Sequence, residues 1–154
     1  MASHHAKDKG DLGLVMVIAD MAAAGISVYL PLSEHQPADL VAMNEEGRVA
    51  RVQVKYRKVS ANGGIKLHFR SAYSDGKGYQ EKAVDRSLFD CYAVYCPDNR
   101  KIYYIRNDEI SSSTAIMLRV IPAKNGQNKC VIIASRFEGV DRIFEDGSPP
   151  WRNG

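Results

Sequence analysis

The ten residues from Arg48 to Arg57 constrain the fold more than any other stretch of the chain. Val49, Val52, Val54 and Tyr56 alternate imperfectly with Arg51, Gln53, Lys55 and Arg57, the period of a strand that packs one face and presents the other to something polar. Asn44-Glu45-Glu46-Gly47 just before it reads as a hairpin connection, which makes Ala38 to Met43 its antiparallel neighbour. Any fold for this chain must accommodate that hairpin.

The remaining elements are arranged around it. Leu12, Val15, Ile18 and Ala19 give the segment Asp11 to Ala24 one broad apolar helical face, with Gly10 before it and Gly25 after it as ends. Ile26 to Leu30 reads as a short strand stopped by Pro31, and Leu32 to Pro37 as a loop. Asn62-Gly63-Gly64 turns the chain into a strand from Ile65 to Arg70, with Lys66, His68 and Arg70 on its polar side. Ser71 to Gln80, with Gly76 and Gly78, reads as a mobile loop, and Lys82 to Leu88 as a short helix. Ser87 to Cys96 and Lys101 to Arg106 are apolar strands joined by Pro97-Asp98-Asn99-Arg100. After a Ser-rich link come strand-like runs at Met117 to Pro122 and Cys130 to Ser135, a turn at Asn125-Gly126, and a loosely held tail from Gly147. The order predicts an α+β domain: a mixed sheet, a helix packed on it, and a C-terminal appendage.

Charge is informative through its distribution. The whole chain is only +3, yet Arg48 to Lys77 holds eight Lys or Arg against the single acid Asp75, so the remainder is net negative. A concentrated basic patch is the footprint of a polyanion site, and a solvated charged hairpin is the alternative reading. No apolar run approaches the ~20 residues a bilayer span needs, and the polar opening offers no signal-peptide core, so the expectation is a cytoplasmic, nucleoid-associated protein with no membrane partner. Cys91, Cys96 and Cys130 lie in apolar runs without zinc-knuckle spacing and read as buried free thiols. His4 and His5 are left out of fold reasoning.

Asp39 starts the strand that precedes the hairpin, and Gln53-Val54-Lys55 lies on the strand that follows it. Gln53 and Lys55, two apart, project to one side, so a carboxylate, an amide and an ammonium can converge at one end of the sheet. Phosphodiester hydrolysis uses such a trio. The carboxylate holds a hard divalent cation that polarises the phosphate and acidifies a water, and the ammonium offsets charge growing on the phosphate. Taken singly, each residue also fits a turn cap or a solvent-facing strand position.

Asp39 with Pro37 before it, and Gln53-x-Lys55 after a hairpin, resemble the PD-(D/E)XK nuclease signature in its variant with glutamine for the second acid. Lys9-Gly10-Asp11-Leu12-Gly13, Gly25 and Pro31, Arg51 to Tyr56, Phe89-Asp90-x-Tyr92-Ala93-Val94-Tyr95 and Lys101-x-Tyr103-Tyr104-Ile105 are similar, in order, to the cyanobacterial group I intron-encoded homing endonuclease branch. The resemblance covers about residues 9–110, leaving 111–154 as an extension of the same domain suited to oligomerisation. It implies a restriction-endonuclease core of α/β/α type. It also implies Asp39 as the main Mg2+ ligand, Gln53 as a metal or water contact, Lys55 as the catalytic ammonium, and the Val54 carbonyl as a further ligand. The family places a glutamate ligand where this chain has Leu14; Asp11, three residues earlier, is the candidate substitute.

Arg57, Lys58, Lys66, His68 and Arg70 would form a basic two-stranded ribbon, narrow enough for a DNA major groove, with Tyr56, Tyr73 and Lys77 on the backbone. Tyr92, Tyr95, Tyr103 and Tyr104 lie in apolar strands and read as core or interface. Three functions stay open: a site-specific endonuclease of double-stranded DNA acting as a homo-oligomer (dimer or tetramer), a structure-specific nuclease such as a Holliday-junction resolvase, and a DNA-binding protein on a decayed nuclease fold.

Overall fold

The computed structural model describes residues 6–122 and 131–145, and of residues 71–73 only the backbone. Helix α1, Ala6–Ala23, begins earlier than Gly10 suggested. Gly10 is exposed with open space around it, and at such a site glycine costs a helix only about 1 kcal/mol. The buried positions Gly13, Val17 and Met21 recur every four residues and form the stripe that packs on the sheet. The helix stops at Gly25, φ +75°, where the Gly25 amide donates to Ala22 O and the Ile26 amide to Met21 O, the two bonds of a Schellman turn.

Strands β1 (Ser27–Tyr29), β2 (Leu40–Met43) and β3 (Val49–Tyr56) form an antiparallel run. The hairpin between β2 and β3 is closed by the Arg48 amide donating to Asn44 Oδ1 at 2.8 Å, with Gly47 at φ +80°. Strands β4 (Gly64–His68), β5 (Arg70–Asp75), β6 (Gly78–Ala83), β7 (Cys91–Cys96), β8 (Lys101–Arg106), β9 (Ala115–Arg119) and β10 (Ile132–Ile133) follow. The main sheet has the order β1-β2-β3-β7-β8, with β3 and β7 parallel and the other neighbours antiparallel. Every residue of β7 is buried, as a strand covered on both faces requires.

The two faces have separate cores. On the α1 side, Val17, Met21 and Ile26 meet Leu40, Ala42, Ala50, Val52, Cys91, Ala93 and Tyr104. On the other side, a second sheet of order β10-β9-β4 packs Ile65, Leu67 and Leu118 on Tyr92, Val94, Cys96, Tyr103 and Ile105. The α+β expectation holds, and the four tyrosines of β7 and β8 are buried. So are the thiols of Cys91 and Cys96, both free; Cys130 lies outside the described residues.

Several expectations are corrected. Both edges of β3 are taken, by β2 and β7, so β4 pairs with β9 instead and the basic ribbon of two adjacent strands does not form. The stretch read as a loop from Ser71 to Gln80 belongs to the β5–β6 hairpin. Its glycines mark the turn, where the Lys77 amide donates to Asp75 Oδ1 and Gly78 has φ +99°. The helix expected over Lys82 to Leu88 shrinks to the 3-10 turn Arg86–Leu88, because Lys82 and Ala83 belong to β6 and Asp85 caps the turn by accepting from Ser87 N. The last strand is only Ile132–Ile133, giving way to the 3-10 helix Ala134–Phe137. Strand β9 is the middle strand of the second sheet, and Val140, Ile143 and Phe144 enter the α1-side core. The Asn125-Gly126 turn and the tail from Gly147 lie outside the described residues. Among those described, no helix is long and apolar enough to cross a membrane.

Candidate active site

Asp39 stands one residue before β2, opposite Gln53 in the continued register that pairs Leu40 with Val52. Its amide donates to Val52 O at 2.9 Å, and its Oδ2 accepts from Val54 N at 2.7 Å. The carboxylate is thereby fixed to the strand that carries its proposed partners. Residues opposite one another in an antiparallel pair project to the same face, so Asp39 and Gln53 share one, and Lys55 follows two residues on. Because the Val54 amide points toward Asp39, its carbonyl points to the same edge, toward the carboxylate rather than toward β7.

The electrostatics of the group are dominated by burial. Burial pushes the Asp39 carboxyl above its ordinary range, opposed by the Val54 amide and then by Lys55. Burial likewise lowers Lys55, assisted by neighbouring Arg57 and opposed by Asp39. No hydrogen bond or salt bridge holds the Lys55 ammonium among the described residues. Gln53 Nε2 donates to Pro37 O at 3.4 Å, tying the amide to the loop that carries Asp39, while its Oε1 is enclosed with no hydrogen-bond partner among the described residues.

An enclosed amide oxygen without a donor, beside a carboxylate and a carbonyl, is an all-oxygen set suited to a hard divalent cation. The residues fit such an ion sparingly. Among the described residues no group of three or more His, Cys, Asp or Glu gathers to hold a metal. Leu14, where a further carboxylate was sought, packs against the α1-side core. Asp11 is exposed and lies about 160° around the helix from Gly13, the residue that faces β3, at ~100° per residue.

The predicted nucleic-acid residues separate by face. Arg57, Lys66, His68 and Arg70 line one concavity with Tyr79, Glu81 and Thr114. Arg57 reaches it because it lies on the same side of β3 as Lys55. Lys58 is exposed just beyond β3, and Lys77 is exposed at the β5–β6 turn. Tyr56 turns the other way: a Cβ on Gly13 would lie 3.5 Å from its Cβ, and its ring is 5.9 Å from Tyr95. The Tyr73 side chain is not among those described.

Tyr92 and Arg86 have polar atoms that sequence reading did not single out. Register pairs Tyr92 with Gln53 on the same face, yet its hydroxyl has no partner among the described residues, and burial pushes its pKa up to about 12 against the pull of Arg86 and Arg57. Arg86 lies over the Phe69 ring at 4.6 Å and donates to Ser112 O, leaving Nη1 enclosed and unpartnered. Finding this pair required knowing that β3 and β7 are parallel neighbours, and no local motif announces that.

A family model described as PD-(D/E)XK endonuclease matches residues 4–140. A solved structure described as a bacterial homing endonuclease, I-Ssp6803I, is similar in fold at TM-score 0.70 and 25% sequence identity, covering 82% of this chain and 84% of that one. No curated protein sequence matches.

Proposed function

Because the chain belongs to the PD-(D/E)XK endonuclease family, we propose that it is a divalent-cation-dependent endonuclease that hydrolyses phosphodiester bonds of double-stranded DNA at a chosen sequence. The observation that carries this reading is the convergence of Asp39, Gln53 and Lys55 on one face, with the carboxylate locked to Val54 N and the Gln53 oxygen left without a donor. Asp39, Gln53 Oε1 and the Val54 carbonyl would hold Mg2+. When bound, the cation neutralises phosphate charge and makes a water acidic enough to attack at neutral pH.

The chain's own residues would do the rest. Asp39 is held ready by the Val54 amide, so no reorganisation is needed when its carboxylate is used. Among the described residues Lys55 has no competing salt bridge, which leaves its ammonium for the phosphate, where donated hydrogen bonds count most as negative charge accumulates. Arg57, Lys66, His68 and Arg70 continue the positive surface from that point and would take successive phosphates, with Lys58 and Lys77 at its margins.

One site cuts one strand, so a two-fold oligomer would present two sites to a duplex. Sequence preference is supported by the homing endonuclease likeness, since the described neighbour is an enzyme of that kind. The test is to offer a random-sequence duplex library and a set of unrelated four-way junctions with Mg2+. Recovery of one cut sequence from the library supports the proposal; equal cutting of all junctions, with no preferred duplex, replaces it with a structure-specific nuclease.

A further inference from the structure

Hairpin β5–β6 is a sheet of its own, six register pairs long from Arg70↔Ala83 to Asp75↔Gly78, and among the described residues no third strand joins it. At its base Val84 N donates to Phe69 O, closing the two legs, and Phe69 N donates to Thr114 O of the body. From Ser74 to Ala83 every residue is exposed except Gln80, which is intermediate, and Tyr79 is 68% exposed. An isolated two-stranded hairpin is marginally stable in water, and none of its described side chains, Arg70 and Ser74 to Ala83, belongs to either core. Its sequence, Arg-Ser-Ala-Tyr-Ser-Asp-Gly-Lys-Gly-Tyr-Gln-Glu-Lys-Ala, is poor in the aliphatic residues a protein partner would cover and rich in hydrogen-bonding ones.

We propose that the β5–β6 hairpin is a DNA-reading arm that enters the major groove beside the scissile phosphate and contributes sequence preference. This rests on the endonuclease reading of the catalytic face. Size fits: two strands ~4.8 Å apart and roughly 20 Å long can lie in a groove ~12 Å wide. Position fits as well, because Arg70, Tyr79 and Glu81 of the arm line the same concavity as Arg57, Lys66 and His68. A duplex whose phosphates follow that basic floor from Lys55 would run past the arm's root.

Charge alone does not account for the arm. Between Tyr73 and Gln80 it carries one cation, Lys77, and one anion, Asp75, so general attraction to phosphate resides in the floor. The arm's contribution must be contacts that differ between base pairs.

The test excises residues 73–80 and joins Ala72 to Glu81, which are register partners, through Asn-Gly. Wild type and trimmed protein are each used to select bound duplexes from a random-sequence pool, and each is assayed for Mg2+-dependent nicking of supercoiled plasmid. The expected result is that trimming shortens the selected motif and weakens binding to the wild-type site by about tenfold or more, the scale of one or two base contacts, while nicking persists and the salt slope of binding falls by no more than the single phosphate contact of Lys77 accounts for. Methylation of guanine N7 within the lost part of the motif should block wild type alone. An unchanged motif overturns the proposal while leaving the nuclease reading intact, and so does a wild type that cuts without preference. A wild type that neither binds nor cuts overturns both. Thermal melting checks the fold of the trimmed protein; should it fail, Tyr79→Ala, which removes an exposed hydrogen-bonding side chain of the arm without changing its charge, asks the same question.

Discussion

Replacing Asp39 by asparagine separates catalysis from stability, because the account assigns them opposite signs. Asparagine keeps the shape, and its Oδ1 can still accept the Val54 amide that Asp39 holds at 2.7 Å. Exchanging a charge-assisted bond for a neutral one loses roughly 1 kcal/mol. Against that stands relief of a buried charge, and the raised pKa of Asp39 says that burial wins. A carboxyl whose folded pKa is raised lends stability below its unfolded pKa and loses it as pH rises through the folded value. Ionised Asp39 is thus a liability near neutrality, and Asp39→Asn should melt no lower than wild type at pH 7 in EDTA, with its advantage vanishing in acid. Activity should move the other way. A metal ion contributes several kcal/mol to stabilising a phosphoryl transition state, and no group of three or more metal-binding side chains among the described residues offers a substitute for the lost ligand. At 1.36 kcal/mol per factor of ten, nicking should fall by about 10³-fold. Differential scanning fluorimetry and a plasmid-nicking time course read the two effects. Retained nicking would refute the ligand assignment. A melting point lower by more than about 4 °C, the scale of 1–2 kcal/mol for a domain this size, would make Asp39 a structural cap instead.

Burial lowers the Lys55 pKa, so the alkaline limb of the pH-rate profile should lie below that of an ordinary lysine; Lys55→Arg, if active, should move it upward, and an unshifted limb would deny Lys55 its role. At Gly64 a Cβ would lie 2.5 Å from Met117 Sδ and 3.3 Å from Leu118 O, so Gly64→Ala should lose about 1–3 kcal/mol in urea unfolding, with partial recovery when Met117 is trimmed to alanine. The Tyr104 hydroxyl donates to Asp20 at 2.6 Å, joining α1 to β8, and Tyr104→Phe should lower stability by about 1–3 kcal/mol without altering DNA binding.

What could be read in advance follows the range of the interactions. The β2–β3 hairpin was legible because its strands are joined by a five-residue connection and its alternation is local, and with it came the shared face of Asp39, Gln53 and Lys55. The helix stop at Gly25 was legible for the same reason. Partners of β3 were not. Its far neighbour is β7, some 40 residues on, and nothing in either strand announces a parallel pairing. Without it β4 was set beside β3, and Tyr92 was read as core with no sign that its hydroxyl shares a face with Gln53. The β5–β6 hairpin escaped because an exposed ribbon lacks the apolar alternation that marks half-buried strands, so its glycines read as a loop. Asp11 was sought as a ligand from helical spacing to Leu14 alone, and the packing of Gly13 on Val54 and Tyr56 fixes a rotation that leaves Asp11 on the exposed side.

The most direct test of the central claim is a single set of plasmid reactions: supercoiled DNA with wild type or Lys55→Ala, each with Mg2+ or with EDTA. Nicked or linear product should appear only for wild type with Mg2+, in a preparation where both proteins melt cooperatively. Product from Lys55→Ala at the wild-type rate, or from wild type in EDTA, or none from folded wild type with Mg2+ on plasmids carrying the library-selected site, would contradict it.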